Sequence, residues 1–125
     1  MKEIECYVMD TLREFDKKVD RFIEKKKFKK LPDQIEGLEE SLIKGEFPGD
    51  LVSRKENPVP HEVYKLRLPN PDTKVGKSNG YRVYYIVVTE QRIVVFLTIY
   101  YKKEDDSDDC IYYSIDENRN YICER

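Results

Sequence analysis

Basic side chains alternate with apolar ones along two segments that are typical of neighbouring β-strands. In "HEVYKLRL" (61–68) Lys65 and Arg67 fall on one face, and in "YRVYYIVV" (81–88) Arg82 interrupts a run of tyrosine and β-branched residues. An arginine on a central strand must be paired, face a cleft or bind an anion. If Arg82 lies beside Lys65 and Arg67, three cations gather on an open sheet face, where they could bind phosphate.

Aromatic residues accompany these cations. Tyr84 shares a strand face with Arg82, and aromatic rings stack on the unpaired bases of single-stranded RNA. The sequence is therefore compatible with an RNA-binding face. Taken alone, however, the pattern favours a simpler interpretation, in which alternate lysine and arginine residues keep an exposed sheet face soluble.

Several other kinds of chemistry lack their residues. The chain has one histidine, His61, and no serine or cysteine in a nucleophile motif, and it has no phosphate-binding glycine loop. Its three cysteines show no C-x-x-C spacing, which argues against both a disulfide framework and a zinc site and suits the cytosol. We therefore expect no metal and no cofactor.

Length and composition indicate one polar domain. The chain has 125 residues, 39% hydrophobic and 38% charged, with a net charge of −2. Residues 104–125 carry eight acidic and two basic residues, whereas residues 1–103 carry 21 basic and 17 acidic ones. We interpret residues 1–103 as the main domain and residues 104–125 as its acidic C-terminal extension. No apolar run approaches the roughly 20 residues of a membrane span, and the N-terminus lacks a signal-peptide core, so we expect a cytoplasmic protein without membrane contact.

The N-terminal region predicts a strand and a helix. Weak alternation over 3–9 indicates a short first strand. Thr11 opens a T-x-x-E capping box with Glu14, and apolar residues then recur at helical spacing, so we predict a helix over 11–29 that Pro32 ends.

A second helix and three strands are predicted to follow. Asp33 could cap the second helix and Gly45 could end it, and residues 46–60 are typical of a loop. Three strands with short connections, which form an antiparallel meander, are then expected at 61–68, 81–88 and 92–100. The predicted fold class is α+β: an N-terminal strand, a helical hairpin and a three-stranded meander, with the helices packed on one face of one sheet.

Three segments of this order resemble the RelE/ParE superfamily of bacterial toxins from toxin–antitoxin pairs. They are "YKLRL", "GKSNGYRVYY" and "VVFLTIYYKKE", so the resemblance is clearest over residues 61–104. The predicted order of elements is also that of the family's fold. In the RNA-cleaving branch, the resemblance implies a metal-free endoribonuclease that cleaves mRNA on the ribosome.

The resemblance implies a catalytic set of Lys65, Arg67, Arg82 and Lys103. Lys65 would help to remove the 2′-OH proton, Arg82 and Arg67 would stabilise charge on the scissile phosphate, and Lys103 would neutralise the leaving 5′-oxygen. The family has a lysine where Arg67 stands and an arginine where Lys103 stands. The residues expected to bind substrate are Tyr84, Lys74, Lys77, Tyr100 and, at the position of a family tyrosine, Tyr112 or Tyr113.

Two other functions stay open. The ParE branch inhibits DNA gyrase by contact rather than catalysis, and a relative without activity would serve only as an interaction module. Both toxin functions imply an antitoxin encoded beside the gene as the partner, and the nuclease function adds mRNA and the ribosome.

Overall fold

The elements of the fold follow the apolar periodicity of the sequence. The computed structural model describes residues 6–52 and 61–104 in full and, beyond them, the backbone of two strands. The main elements are β1 (Val8–Thr11), α1 (Arg13–Glu24), α2 (Leu31–Ile43), β2 (Asp50–Leu51), β3 (Glu62–Leu68), β4 (Tyr81–Val88) and β5 (Ile93–Tyr101). The two C-terminal strands are β6 (Tyr112–Ile115) and β7 (Tyr121–Glu124).

The central element of the fold is a five-stranded mixed sheet with the order β1-β5-β4-β3-β2. Strands β3, β4 and β5 pair in antiparallel succession, which confirms the predicted meander. Strand β1 runs parallel to β5, with Val8 opposite Ile93, and β6 and β7 form a separate antiparallel pair. The described part of the chain is therefore α+β, as predicted.

Both faces of β4 are buried. All eight of its residues lie below the surface, which explains why its sequence is a nearly continuous apolar run instead of an alternation. On one face Val83 and Tyr85 join the core under the helices, and on the other Tyr84 and Ile86 belong to a second hydrophobic cluster.

Aromatic residues attach the helices to the sheet. The Phe15 ring of α1 stacks on Phe96 of β5 at a centroid distance of 4.7 Å. Phe22 and Phe28 pack edge-on against Tyr81, at 5.6 and 6.1 Å. Each buried side chain of this size contributes about 1.5–3 kcal/mol relative to an exposed one, so this cluster fixes the helices over one face of the sheet.

The start of α1 differs from its prediction. Residues 3–5 of the predicted first strand lie outside the described residues, and the described strand runs from Val8 to Thr11 instead of ending at residue 9. Thr11 therefore pairs with Phe96 in the sheet. Its hydroxyl donates to Asp16 Oδ2 (2.9 Å), and the N-cap of α1 is Leu12 without a side-chain hydrogen bond. The predicted capping box is wrong, because strand pairing holds Thr11 before the helix can begin.

The connection between the helices is also longer than predicted. Helix α1 ends at Glu24, and Lys27 adopts a left-handed conformation (φ 61°) that reverses the chain. Pro32 lies in the first turn of α2, where its missing N–H is harmless, so it starts this helix instead of ending α1. Gly45 ends α2 with φ 84°, as predicted.

The predicted loop over 46–60 contains a short edge strand. Strand β2 pairs with β3, placing Asp50 opposite Lys65. Gly49 (φ 105°) allows this approach, because a Cβ there would lie 2.6 Å from the Lys65 carbonyl oxygen. Residues 53–60 and the acidic run of the extension, residues 105–109, lie outside the described residues.

Buried tyrosines predict a loss of stability at high pH. Burial, with a hydrogen bond from its hydroxyl to Glu62 Oε2 (2.7 Å), raises the pKa of Tyr64 to about 12, and burial also raises the pKa of Tyr81 and Tyr85. The unfolded chain therefore releases these protons at a lower pH than the folded chain does. We expect these three tyrosines to leave the free energy of unfolding unchanged below about pH 10 and to lower it as the pH rises toward 12.

Urea unfolding between about pH 8 and 12 would measure this decline. A Tyr64→Phe variant should show a smaller decline, since it lacks one of the three protons. A wild-type stability that stays flat through this range would contradict the prediction.

Candidate functional site

The register of β3 and β4 brings the predicted cations together. Arg67 lies directly opposite Arg82, and Lys65 lies opposite Tyr84. These residues share the sheet face that is turned away from the helices, because Tyr64, Leu66 and Leu68 pack on the helix side. The predicted juxtaposition of Arg82 with Lys65 and Arg67 is therefore confirmed, while their roles remain predictions.

This face is less open than predicted. Tyr84 and Tyr100 are each only 8% exposed and stack on each other at a centroid distance of 6.3 Å. Farther along the same face, Ile86, Val95 and Leu97 are fully buried. The accessible part is consequently the end of the face at Arg67, and base stacking on Tyr84 or Tyr100 would first require these rings to be uncovered.

Arg82 is bound by backbone carbonyls. Its side chain is 4% exposed, and its guanidinium donates to the carbonyl oxygens of Lys77 (2.8 Å), Ser78 (2.8 Å) and Tyr81 (3.2 Å). We call this arrangement the carbonyl clamp. Among the described residues no carboxylate pairs with Arg82, so its positive charge adds to that of Arg67 beside it.

The connection between β3 and β4 is built on a buried asparagine. Asn70 is fully buried, exchanges backbone hydrogen bonds with Val75 (2.8 and 2.9 Å), and its Oδ1 accepts from the N–H of Asp72 (3.1 Å). This connection holds the two lysines that were expected to bind substrate. Lys74 and Lys77 are both exposed, Lys74 with φ 58°, so their ammonium groups face solvent.

The remaining predicted residues lie apart from the β3–β4 pair. Lys103 is exposed in the turn after β5, and its neighbour Glu104 pairs with Lys26 (2.6 Å) and Arg21 (4.0 Å) on the helix side. Tyr112 and Tyr113 belong to the separate β6–β7 sheet. Their side chains are outside the described part of the structure.

A polar contact that sequence reasoning missed lies between α1 and β5. Lys18 Nζ donates to Thr98 Oγ1 (2.9 Å), beside a crevice of about 80 Å³ that Arg21, Tyr100 and Glu104 also line. Strand β1 pairs with β5 only as far as Phe96, which leaves room for Lys18 here. No sequence signal marks this contact, because it depends on where β1 ends.

The described residues also bear on metal binding and on membrane crossing. Among them, no group of three or more His, Cys, Asp or Glu side chains is placed to hold a metal ion. No described helix has the length and apolar character needed to cross a membrane.

The site thus consists of two arginines facing each other across a strand pair, a lysine on the same face and a lysine-bearing connection at one end. The exposed guanidinium of Arg67 offers hydrogen bonds of the kind that suit a phosphate, and the neighbouring cations add positive charge. No protein-family model matches this chain, and a search of curated proteins finds no significant match.

Proposed function

We propose that this protein is a toxin of the RelE/ParE type that cleaves mRNA without a metal. The observation that carries the proposal is the pairing of Arg67 with Arg82, with Lys65 on the same face. An RNA phosphate at the exposed end of this face would meet two positive charges, and its ribose would lie toward Lys65. The cell compartment in this proposal is the cytoplasm, and the partners are an antitoxin, mRNA and the ribosome.

In this mechanism the 2′-oxygen attacks the scissile phosphorus. The amine of Lys65 takes the 2′-OH proton, the bond from phosphorus to the 5′-oxygen breaks, and solvent water supplies a proton to that oxygen, because Lys103 lies apart from this face in the turn after β5. Arg67 donates hydrogen bonds to the phosphate oxygens as charge builds up on them. Arg82 acts differently: the carbonyl clamp occupies its guanidinium, so it shapes the Lys77–Ser78 turn and contributes positive potential.

The test is induced expression in a bacterium, following growth and mapping RNA 5′ ends. We expect wild type to arrest growth and to create cleavage sites within translated messages. Lys65→Gln and Arg67→Gln should each reduce cleavage about tenfold or more, because the first removes the proton acceptor and the second removes a charge that stabilises the transition state. Lys44→Gln, at the exposed end of α2, is the matched control and should arrest growth like wild type.

If each of the Lys65 and Arg67 variants still cleaves RNA like wild type, the nuclease assignment is contradicted. Growth arrest with DNA damage and intact RNA would identify a binding toxin of the gyrase-inhibiting kind. The satisfied guanidinium of Arg82 favours that second candidate, because a clamped arginine needs no substrate to explain it. A folded protein that causes no arrest would leave the interaction module as the function.

A further inference from the structure

The connection between the helices concentrates positive charge on the surface. Residues 25–30, "KKKFKK", place five lysines around Phe28, and all five are exposed. We call this segment the lysine turn. Like charges at such spacing repel one another, so they destabilise the folded state slightly unless an anion binds there.

The lysine turn is held in one conformation. Phe28 is 6% exposed, and its ring packs on Phe22 (5.8 Å) and Tyr101 (5.5 Å). The N–H of Phe28 donates to the Phe22 carbonyl (3.0 Å), and that of Lys29 to the Lys27 carbonyl (2.9 Å). The lysines therefore project from an anchored backbone, which reduces the entropy lost when a ligand binds.

Among residues 6–52 and 61–104, few anions neutralise this charge. Lys26 pairs with Glu104 (2.6 Å), and the backbone N–H of Lys30 donates to Asp72 Oδ2 (3.0 Å). Lys25, Lys27 and Lys29 make no ion pair with any described residue. Counted over the described residues alone, the turn consequently keeps a net positive charge.

The lysine turn lies at the same end of the sheet as the candidate site. Phe28 contacts Tyr81, which precedes Arg82, and it contacts Tyr101 at the end of β5. The hydrogen bond from Lys30 to Asp72 joins the turn to the connection that carries Lys74 and Lys77. Positive charge thus continues from the β3–β4 face, through this connection, to the helix side.

We propose that the lysine turn binds the sugar–phosphate backbone of RNA as a second contact beside the candidate site. The inference rests on the proposed function for its RNA ligand. RNA phosphate fits better than an acidic protein segment, because such a segment usually also buries apolar side chains. The large hydrophobic residues exposed in the described part of the chain are Val8, Ile43 and Leu51, and none of them belongs to the turn.

The experiment measures binding apart from cleavage. The probe is a short fluorescein-labelled, single-stranded RNA with 2′-O-methyl groups, which cannot undergo 2′-OH attack, and anisotropy is followed against salt concentration. The variant K27Q/K29Q/K30Q removes three charges from the turn. The control R13Q/K17Q/K44Q removes three exposed cations elsewhere on the helices, so the two variants have equal net charge.

We expect the turn variant to bind more weakly and its plot of log affinity against log salt to be shallower by about 2, the value for three lost contacts to a single strand. The control should keep the wild-type slope. Three outcomes would each overturn the inference. They are an equal loss of RNA affinity in both variants, wild-type RNA affinity in the turn variant, and no RNA binding by wild type. Displacement of the probe by poly-glutamate at concentrations where RNA competitor fails would overturn it in favour of an acidic protein partner.

The same series separates this inference from the proposed function. If induced wild type creates no RNA cleavage sites in the cell while the turn variant loses affinity for the probe, the nuclease proposal fails and the binding site stands. If K65Q/R67Q abolishes cleavage while the turn variant binds the probe like wild type, the nuclease proposal stands and the inference about the lysine turn fails. Circular dichroism of each variant verifies that it is folded.

Discussion

An Arg82→Met variant is expected to lose about 3 kcal/mol of unfolding free energy. Methionine has a similar length and no donor, so the carbonyl oxygens of Lys77, Ser78 and Tyr81 would lose their hydrogen bonds to the guanidinium. Each hydrogen bond from a charged donor is worth about 1.5–3 kcal/mol, but water can replace the guanidinium at the exposed residues Lys77 and Ser78, so the expected loss is smaller than the sum. Arg82→Lys should lose about 2 kcal/mol, since one ammonium cannot reproduce the planar fork. Urea unfolding followed by circular dichroism would measure both losses.

Arg67→Met is the matched control for this prediction. Arg67 lies directly opposite Arg82 and is exposed, so its substitution should change the free energy of unfolding by less than about 0.5 kcal/mol. If the Arg82 and Arg67 variants prove equally stable, the carbonyl clamp contributes nothing to folding, and Arg82 would again be best explained as a phosphate ligand.

This result also decides how tests of function are interpreted. An Arg82→Ala variant that fails to arrest growth would say little by itself, because loss of the turn explains it as well as loss of a phosphate contact. Arg67 carries the cleaner test, since it contributes charge at the accessible end of the face and its removal should leave the fold intact. If the Lys65 and Arg67 variants both lose RNA cleavage, this would therefore support catalysis more strongly than the loss of cleavage in any Arg82 variant.

The sequence predicted the three strands of the meander well because their signal is local, whereas it missed β2, β6 and β7. Alternation in β3 and the apolar run of β4 set both the boundaries and the opposition of Arg67 and Arg82, since a register shift of one residue would place Leu66 and Leu68 on the wrong face. The helix cap at Thr11 was mispredicted because its pairing with Phe96, a contact distant in sequence, outweighs a local preference.

The chemistry of the site was harder to predict than its composition. An alternating pattern shows that Arg82 shares a face with Tyr84, but not that the chain folds back to present two carbonyls to its guanidinium. Nor does it show that Tyr84 and Tyr100 are covered. Both features depend on the path of loops, where hydrophobic periodicity carries no information.

Gly80→Ala is expected to destabilise the fold by about 3 kcal/mol or more, through overpacking against backbone. An added Cβ would lie 2.0 Å from the Leu68 carbonyl oxygen and 3.0 Å from that of Gly76. Neither atom belongs to a flexible side chain, so the end of β3 or the start of β4 would have to move. The Gly80 carbonyl accepts the N–H of Lys102 (2.8 Å), so the displacement would also reach the end of β5.

Gly76→Ala is the matched control, since it lies in the same connection and a Cβ there would meet no heavy atom within 4 Å. That substitution should be neutral or stabilise the fold by about 0.4–1 kcal/mol, because alanine restricts the unfolded chain. Equal stability of the Gly80 and Gly76 variants in urea unfolding would show that the close approach at Leu68 is not required.

The Gly80 and Arg82 variants act on the same turn and should therefore not be additive. A methyl group at Gly80 displaces the segment whose carbonyls form the clamp, so part of the loss from Arg82→Met is already incurred in the Gly80→Ala background. We expect the double variant to lose less than the sum of the single losses, by about 1 kcal/mol, as is usual for residues that share one network. Strict additivity would mean that the turn keeps its position when Gly80 is replaced, and that Arg82 stabilises the fold without depending on the approach of Gly80 to β3.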